Sequence, residues 1–223
     1  DEAFLRLDNY RTDNLKEVGE RLARTIRKGT GIPVSIGISP TKTLAKIASK
    51  LCKKYPKLNS ACLMYRSEDI AKVLSTYPIS DVWGIGRRHT KMLEGCHIHT
   101  AAQFCSLSEE WVHNRMNING VRTWHELHGT PCIEFCHQAA DKQSISVSRS
   151  FSKELYTLQE LHETISTFAA SAAEKLRRQH SVAQQLQVYI FTNRHRDDHP
   201  QYYEAATMRF ITPTDSTLEI TKA

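Results

Sequence analysis

The chain has 223 residues, of which 40% are hydrophobic and 24% charged, a composition typical of a soluble globular protein rather than a disordered or fibrous one. It has no apolar run near the ~20 residues that a membrane helix requires, and no signal-peptide pattern at its start. Six cysteines are scattered through the chain, which favours reduced thiols over a disulfide framework. We therefore expect a cytoplasmic protein with no membrane partner.

The net charge of +6 is concentrated in the first third of the chain. Residues 1–66 contain 14 Lys and Arg against 6 Asp and Glu, and eleven basic residues separate Glu20 from Glu68 without an acidic one. A field of one sign with no internal partner favours an external polyanion over a merely solvated face. A polyanion is therefore the partner class that this region predicts.

Short apolar strands and amphipathic helices alternate in the first third, which predicts an α/β layer. The strands are expected at Ala3–Leu7, Pro33–Ser39 and Ala61–Tyr65. A first helix is expected over residues 13–28, with Asp13 as its N-cap.

A second helix, with Ser39 as its cap and Pro40 at its first position, carries lysines at every fourth residue. We expect its apolar residues to face inward and its lysines outward, and its free N–H groups to offer a phosphate site. A P-loop is excluded because Thr41, not glycine, precedes the first lysine. The lysines are Lys42, Lys46, Lys50 and Lys54, with Lys53 and Lys57 beside them.

The middle third predicts short helices that are separated by glycine turns. Gly84-Ile85-Gly86 has the form of the hairpin in a helix–hairpin–helix motif, whose glycines let a DNA phosphate approach the backbone. Lys91 lies one turn into the following helix and can add positive charge to that contact. A second glycine turn is expected at Asn119-Gly120. This all-helical region is therefore a candidate for binding the DNA backbone.

The last third predicts a sheet with helices on one of its faces. Residues 144–151 alternate serine with larger residues, so a strand there presents hydroxyl groups on one side. Thr157 and Glu160 form a capping box for a long amphipathic helix. The remaining expected elements are strands around 182–192 and 203–212 and a helix that begins near Asp215.

The two later strands alternate polar and apolar residues, which predicts one polar sheet face. Such a face fits a nucleic-acid groove, and an ordinary solvated sheet face has the same pattern. The residues on it are Gln185, Gln187, Tyr189, Thr207 and Arg209, opposite Leu186, Val188, Ile190, Met208 and Phe210.

The chain opens on two adjacent carboxylates, Asp1 and Glu2. Carboxylate oxygens are hard ligands suited to Mg²⁺. Neighbours on a regular strand point to opposite faces, so both reach one metal only where the strand bends. From the residues alone, two solvated charges are the simpler interpretation.

Four stretches in this order resemble the Y-family of translesion DNA polymerases, most closely its UmuC-like branch. They are DEAFLRL from residue 1, GISPTKTLAKIASKLCKK from residue 37, DVWGIGRR from residue 81 and SRSF from residue 148. The resemblance implies an α+β multidomain fold with a partial α/β palm, an all-helical thumb and an α+β little finger. The implied boundaries are palm 1–66, thumb 67–138, linker 139–143 and little finger 144–223.

The resemblance also implies roles for individual residues. Asp1 and Glu2 would be two of three catalytic carboxylates that hold a pair of Mg²⁺ ions, and Lys53 would bind the incoming triphosphate. The implied DNA-binding residues are Gly84, Gly86, Lys91, Ser146, Ser148 and Arg149. The implied partners are primer–template DNA and a deoxynucleoside triphosphate in a bacterial cytoplasm, with UmuD-type subunits and a recombinase filament as further ones.

The chain departs from the family pattern at both ends. The first acidic motif, the fingers and the final little-finger strand are not found in it, so we expect a fragment that binds DNA but does not polymerise alone. A rival hypothesis is a non-catalytic helix–hairpin–helix DNA-binding module. A weaker one is a structure-specific nuclease, which needs a carboxylate cluster that the sequence does not otherwise offer.

Overall fold

The structure is a computed structural model that describes residues 2–7, 14–135, 141–151, 154–196 and 198–223. Helices and two small sheets make it an α+β protein. The chain divides into two compact units, residues 1–136 and residues 137–223. No helix in the described ranges is both long and apolar enough to cross a bilayer.

Unit 1 begins with an α/β layer, as the alternating pattern predicts. The parallel strands β1 (Ile36–Ile38) and β2 (Ala61–Leu63) pair along their whole length, and α2 (Lys42–Lys54) is the crossover between them. A Cβ on Gly37 would lie 1.9 Å from the Ala45 carbonyl oxygen, so the glycine permits α2 to lie directly on β1. The elements are α1 (Leu15–Thr30), β1 (Ile36–Ile38), α2 (Lys42–Lys54) and β2 (Ala61–Leu63).

Of the two helix caps predicted for this layer, Ser39 is wrong, and Asp13 lies outside the described residues. Asn14 caps α1 by accepting from the Glu17 N–H, whereas Asp13 is not among the described residues. Thr41 caps α2, its Oγ1 accepting from the Leu44 N–H at 3.3 Å. The Ser39 hydroxyl instead donates to the Met64 carbonyl at 2.6 Å, because the end of β2 lies beside it.

The predicted strand at Ala3–Leu7 is also wrong. Residues 2–7 form neither a strand nor a helix. A strand needs an adjacent strand to receive its backbone hydrogen bonds, and the pairings among the described residues provide none for this segment. Its side chains hold it in place instead, through Glu2 and Phe4.

The rest of unit 1 is mainly helical in the residues that the structure describes, with an isolated antiparallel bridge between Pro78 and Thr100. The Gly84-Ile85-Gly86 turn follows a 3₁₀ turn at Ile79–Asp81 and precedes α4. The second predicted glycine turn is misplaced: α6 breaks at Asn117 (φ 55°, ψ −165°), and Gly120 is helical and packed against Met116. The helices are α3 (Ser67–Thr76), α4 (Arg87–Gly95), α5 (Ala101–Cys105) and α6 (Glu109–Leu127).

One continuous core holds the α/β layer and the helical part of unit 1 together. Buried residues on α2 belong to the same cluster as those of the hairpin and of α4 to α6. Burial of an apolar side chain stabilises the fold by ~1.5–3 kcal/mol. The largest fully buried members of this core are Leu44, Ile47, Met64, Ile79, Leu93, Phe104, Val112, Met116 and Leu127.

Unit 2 packs two helices against one face of a two-stranded sheet. Antiparallel β3 (Ala183–Phe191) and β4 (Tyr203–Thr214) confirm the predicted strands. Helix α7 (Leu158–Arg178) begins at the predicted capping box, and α8 (Thr217–Lys222) follows β4. The buried core is small: Ala169, Ala173 and Ile220, with Leu176, Leu186 and Phe210 packed against it.

The predicted strand at residues 144–151 does not form. The side chains still alternate in exposure: Ile145 and Val147 are half-buried, while Ser146 and Ser148 are exposed. Phe151 stacks on Phe168 of α7 with ring centroids 6.4 Å apart. Packing on the helix therefore orients this segment, in place of a sheet ladder.

Candidate nucleic-acid and nucleotide site

The sequence predicts that the lysines of α2 face outward to an external anion, but in the structure two of them bind other parts of unit 1. Lys42 Nζ donates to the Glu134 carbonyl at 2.7 Å and lies 4.1 Å from the Phe135 ring centroid. Lys50 Nζ donates to the Asp81 carbonyl at 2.8 Å. These lysines fasten other segments of unit 1 to the helix.

The N-terminus of α2 is closed by a carboxyl group that sequence reasoning missed. Glu126 of α6 is fully buried, and its Oε2 accepts from the Thr43 N–H at 2.9 Å. Its Oε1 accepts from the Cys132 and Ile133 N–H groups at 2.8 and 3.2 Å. A negative group is stabilised at a helix N-terminus, so the phosphate site expected there is already filled by Glu126. The sequence offers only a weak signal for this role, because Glu126 is flanked by His125 and Leu127 in a largely polar stretch and shares its helix face only with the buried Thr123.

Glu2 is the first predicted site residue that the structure describes, whereas Asp1 lies outside the described residues. Glu2 Oε2 forms an ion pair with Lys46 Nζ at 2.6 Å. The hydrogen bond from Lys46 lowers the pKa of Glu2, and the positive charges of Lys46 and Lys53 lower it further. Glu2 is therefore a stable carboxylate with Lys53 within electrostatic range.

Aromatic contacts hold the segment that carries Glu2. Phe4 and Trp83 lie with ring centroids 5.7 Å apart. Lys46 Nζ lies 4.4 Å from the Trp83 ring centroid, within cation–π distance. The segment after residue 1 is thereby fixed between α2 and the glycine hairpin.

A cleft of about 430 Å³ lies between Glu2, α2 and the hairpin. It is lined by Glu2, Lys46 and Lys50 on one side and by the hairpin residues Ser80–Gly86 on the other. The structure thus brings Glu2, Gly84 and Gly86 to one cavity, although they are far apart in sequence. Its volume is within the range of small-molecule sites, ~300–1,000 Å³.

The two hairpin glycines have different structural roles. Gly84 has φ +92°, and an added Cβ would lie 2.6 Å from Thr123 Oγ1, so the turn itself requires glycine. Gly86 has φ −86° and is the residue before α4, with no atom within 4 Å of an added Cβ. The open space at Gly86 lets another molecule approach the first N–H groups of α4.

Positively charged side chains of α4 lie close to its N-terminus. Its first turn has no acidic residue, and Arg87 and Arg88 are exposed there, with Lys91 one turn later. None of the three forms a hydrogen bond or ion pair with the described part of the chain. Sequence reasoning singled out Lys91 alone, although Arg87 and Arg88 follow the hairpin directly. Free N–H groups, helix dipole and three cations together suit a phosphate.

Lys53, Lys54 and Lys57 are the exposed lysines at the C-terminal end of α2 and just beyond it. Lys53 makes no hydrogen bond or ion pair with the described residues. Lys54 Nζ lies 5.7 Å from the Tyr55 ring centroid. The positive charge of α2 that faces solvent is therefore at this end of the helix.

Family comparisons match both ends of the chain. The model of the impB/mucB/samB family matches residues 1–50, and that of the impB/mucB/samB family C-terminal domain matches residues 142–223. The chain belongs to the impB/mucB/samB family. This confirms the resemblance to UmuC-like Y-family DNA polymerases. Glu2, the start of α2 and the serine-rich segment of unit 2 all lie within the matched residues.

Individual members of the impB/mucB/samB family match over most of the chain. Protein UmuC of Salmonella typhimurium is 33% identical over 100% of this chain and 53% of its own length. Protein SamB of the same organism is 31% identical over 94% of the chain and 50% of its own length. DNA polymerase IV 1 of Bacillus subtilis is 25% identical over 85% and 45%. The chain therefore spans about half the length of the curated relatives that it matches.

The remaining predicted DNA-binding residues of this impB/mucB/samB member lie in unit 2. Ser146, Ser148 and Arg149 are exposed, in the segment that precedes α7. The Ser146 carbonyl accepts from Lys175 Nζ at 3.4 Å. Their hydroxyl and guanidinium groups are available to a ligand, but a sheet does not align them.

A metal site is incomplete in the part of this impB/mucB/samB chain that the structure describes. No group of three or more His, Cys, Asp or Glu side chains there could hold a metal ion. Glu2 contributes one hard oxygen donor at the cleft, and Lys46 already pairs with it. Among the described residues, the set does not by itself fit the two Mg²⁺ ions that the family resemblance implies.

Proposed function

We propose that this chain is the part of an error-prone translesion DNA polymerase that grips primer–template DNA and borders its nucleotide site. The proposal rests on family membership together with one structural observation. The glycine hairpin and Glu2 share a cleft, and the open N-terminus of α4 with its three cations adjoins it. The DNA backbone would lie against Gly86 and α4, as a polyanion should.

The nucleotide would lie on the Glu2 side of unit 1. Asp1 and Glu2 are proposed as metal-binding carboxylates and Lys53 as the triphosphate-binding residue. In the whole protein, where further carboxylates would complete the set, Asp1 and Glu2 would be two of the residues that hold a pair of Mg²⁺ ions, and the bound metal would supply the Lewis-acid chemistry of nucleotidyl transfer. Lys46 would hold the Glu2 carboxylate in place through its 2.6 Å contact. Palm, thumb and little finger are the proposed identities of residues 1–66, 67–138 and 144–223.

The proposed partners follow from the same family. They are primer–template DNA and a deoxynucleoside triphosphate, with UmuD-type subunits and a recombinase filament as accessory partners of the whole protein. A non-catalytic helix–hairpin–helix module would share the DNA contact but would not need Lys53 near a carboxylate.

Fluorescence anisotropy with a labelled primer–template duplex, over a series of salt concentrations, tests the proposal. Log K should fall linearly with log salt, since each phosphate contact releases counterions. Gly86→Ala fills open space without strain, and alanine at this N-cap position should cost at most ~1 kcal/mol of stability, so the chain should stay folded while its affinity for duplex falls. Lys91→Ala should lower the affinity and reduce the salt slope by ~1.

Two outcomes contradict the proposal. Absence of duplex binding at low salt would show that this chain does not bind DNA by itself. Unchanged affinity in Gly86→Ala and Lys91→Ala would show that binding occurs elsewhere. Lys72→Ala, an exposed lysine of α3, is the matched control and should bind duplex as the original chain does. Mg²⁺-dependent binding of a deoxynucleoside triphosphate, lost in Lys53→Ala, would favour the polymerase over the non-catalytic module.

A further inference from the structure

A second cavity of unit 1 lies between α1 and the loop that precedes β2. Its volume is about 80 Å³. A single buried water requires about 10–15 Å³, whereas drug-sized ligands occupy ~300–1,000 Å³. The cavity therefore has room for a small ion but not for a nucleotide. It shares no described lining residue with the cleft beside Glu2, so it is separate from the proposed DNA and nucleotide site.

The cavity is lined by side chains that can donate hydrogen bonds to an anion. Arg24 and Arg27 lie three residues apart on α1, so their side chains are neighbours on the helix surface. Asn59 and Ser60, from the loop before β2, line the cavity as well. With the described part of the chain, none of these four side chains forms a hydrogen bond or an ion pair. Two guanidinium groups, an amide and a hydroxyl are therefore available to a ligand.

Backbone contacts hold both walls of the cavity in place. An added Cβ on Gly19 would lie 3.1 Å from the Ala61 Cβ, so α1 packs closely on β2. Asn59 and Ser60 both have left-handed backbone angles, with φ of 51° and 64°. The Ser60 carbonyl accepts from the Ile36 N–H at 2.8 Å, which ties the loop to β1. A site whose groups are already fixed loses less conformational entropy when a ligand binds.

One carboxyl group also lines the cavity, and it restricts which anion fits. Glu20 lies one turn before Arg24 on α1. Its Oε1 lies 3.8 Å from Lys16 Nζ, a long ion pair that leaves the carboxylate able to accept a hydrogen bond. A carboxylate repels a fully ionised anion but accepts from an anion that retains a proton. The cavity is therefore suited to a protonated oxyanion.

Inorganic phosphate meets this requirement better than other common oxyanions do. At neutral pH it retains at least one P–OH group, whereas sulfate has none. A phosphate monoester loses its second proton at about pH 6, so at pH 7 it is mainly without this donor. The remaining phosphate oxygens are acceptors that arginine binds through pairs of parallel N–H groups.

We propose that this cavity is a binding site for inorganic phosphate. Arg24 and Arg27 bind the anionic oxygens, and Glu20 accepts a hydrogen bond from the P–OH group. Asn59 and Ser60 supply further donors from the loop. The bound ion connects α1 to this loop, so phosphate stabilises unit 1. The site goes beyond the proposed function and does not depend on it.

A non-specific basic surface is the main competing explanation, with a nucleic acid as its ligand. Arg24, Arg27 and Lys28 are exposed cations of the same helix, and a DNA backbone binds such cations through charge. Binding of that kind would not favour phosphate over sulfate, and it would involve Lys28 as much as the two arginines. Ion selectivity and the position of the cation therefore separate the two explanations.

Isothermal titration calorimetry of the full chain with phosphate and with sulfate, at pH 7 and equal ionic strength, tests the proposal. Phosphate should bind about tenfold more tightly or better, because sulfate leaves the Glu20 carboxylate without a donor. Arg24→Ala and Arg27→Ala should each weaken phosphate binding about tenfold or more, since a charged hydrogen bond is lost. Both variants should stay folded, because alanine is a strong helix former and both positions are exposed. The control is Lys28→Ala, which removes an exposed cation of α1 outside the cavity lining and should bind phosphate normally.

Glu20→Gln tests the selectivity itself. The amide is similar in size to the carboxyl group but can donate a hydrogen bond to an unprotonated oxygen. This variant should bind sulfate and phosphate with similar affinity, unlike the unaltered chain.

Urea unfolding supplies a second, independent measurement. The three tryptophans, Trp83, Trp111 and Trp124, all belong to unit 1, so their fluorescence follows the unit that contains the site. Saturating phosphate should raise the urea midpoint of this signal, because it binds the folded unit. The increase should be lost in Arg27→Ala and retained in Lys28→Ala.

The outcomes do not depend on duplex binding. Absence of phosphate binding, equal affinity of the unaltered chain for sulfate, or unchanged phosphate affinity in either arginine variant overturns the phosphate site. An equal loss of phosphate affinity in Lys28→Ala also overturns it, because charge alone would then explain binding. A lower duplex affinity in Lys28→Ala and in both arginine variants alike would assign these cations to a nucleic acid instead.

Discussion

Glu126 shows how one buried carboxyl group can join two parts of unit 1. It is fully buried, and three backbone N–H groups donate to it: those of Thr43, Cys132 and Ile133. Acidic side chains are almost never fully buried without partners. Here the partners belong to the start of α2 and to the segment after α6, so the carboxyl group fixes both against α6.

We expect Glu126→Ala to lower the free energy of unfolding by about 3 kcal/mol or more, because it leaves buried N–H donors without acceptors. Glu126→Gln keeps one acceptor oxygen and should lose less. Urea unfolding measures both. Glu110→Ala, at an exposed position of the same helix, should change the free energy by no more than ~0.5 kcal/mol. Equal stability of Glu126→Ala and Glu110→Ala would contradict the role given to Glu126.

The cysteines should differ in reactivity according to their burial. Burial raises the pKa of the Cys52 and Cys105 thiols to about 11, and the thiolate is the reactive form. Their raised folded pKa contributes stability below the unfolded thiol value of ~8.5 that is lost as the pH rises toward 11. Cys96 is exposed. Iodoacetamide at about pH 8 should therefore modify Cys96 well before Cys52 and Cys105 in the folded chain.

Peptide mass spectrometry of the alkylated chain measures this order. The same reaction in urea provides the control, because unfolding should equalise the three thiols. Modification of Cys52 as fast as that of Cys96 under folding conditions would mean that the α2–β1 packing opens readily.

At the scale of the element, the sequence predicts those features of a helix that depend only on residues close together in the chain. The capping box at Thr157 and Glu160 forms as expected because both partners lie within one helical turn. The stripe of Leu44, Ile47 and Ala48 is buried as the helical period requires. Local spacing is sufficient for such features.

Features that depend on contacts between residues far apart in the sequence could not be predicted from local patterns. Ser39 and Thr41 are both acceptable caps, but the Ser39 hydroxyl donates to the carbonyl of Met64, the residue after β2. The alternation at residues 144–151 is that of a strand, yet a strand also needs a neighbour. Glu126 closes the α2 N-terminus across 83 residues of sequence. Of the candidate site, the hairpin was predictable, whereas its proximity to Glu2 was not.

The two ends of α2 should respond differently to loss of a lysine. Lys42 is bound within unit 1 by the Glu134 carbonyl and the Phe135 ring, so Lys42→Ala should reduce stability by about 1 kcal/mol. Lys53 makes no such contact with described residues, so Lys53→Ala should leave stability unchanged. If Lys53 binds a phosphate, its loss should weaken DNA or nucleotide binding and reduce the salt slope by ~1.

Urea unfolding and salt-dependent anisotropy on both variants measure the difference. Lys42→Ala is the control for binding, and Lys53→Ala is the control for stability. The prediction is wrong if Lys42→Ala reduces the salt slope as much as Lys53→Ala does.

At the scale of the whole chain, charge and core size divide in the same way between the two units. Residues 1–136 contain 20 Lys and Arg against 14 Asp and Glu, and residues 137–223 contain ten of each. The large buried cluster belongs to unit 1, whereas the buried core of unit 2 has three residues in the part that the structure describes. The excess positive charge and most of the hydrophobic stabilisation therefore lie in unit 1.

This asymmetry predicts unfolding in two steps. Buried apolar area is the main source of stability, so unit 2 should unfold at a lower urea concentration than unit 1. All three tryptophans are in unit 1, so their fluorescence reports that unit, whereas far-ultraviolet circular dichroism also detects α7 and the β3–β4 sheet. Circular dichroism should show an early transition that tryptophan fluorescence does not.

Phe191→Trp supplies the decisive probe, because it places a tryptophan in unit 2. The new fluorescence signal should change with the early transition and the original signals with the late one. Coincident curves from all probes would indicate a single cooperative transition and contradict this prediction. If the two transitions are separate, a saturating duplex should raise each one according to how much DNA the corresponding unit binds.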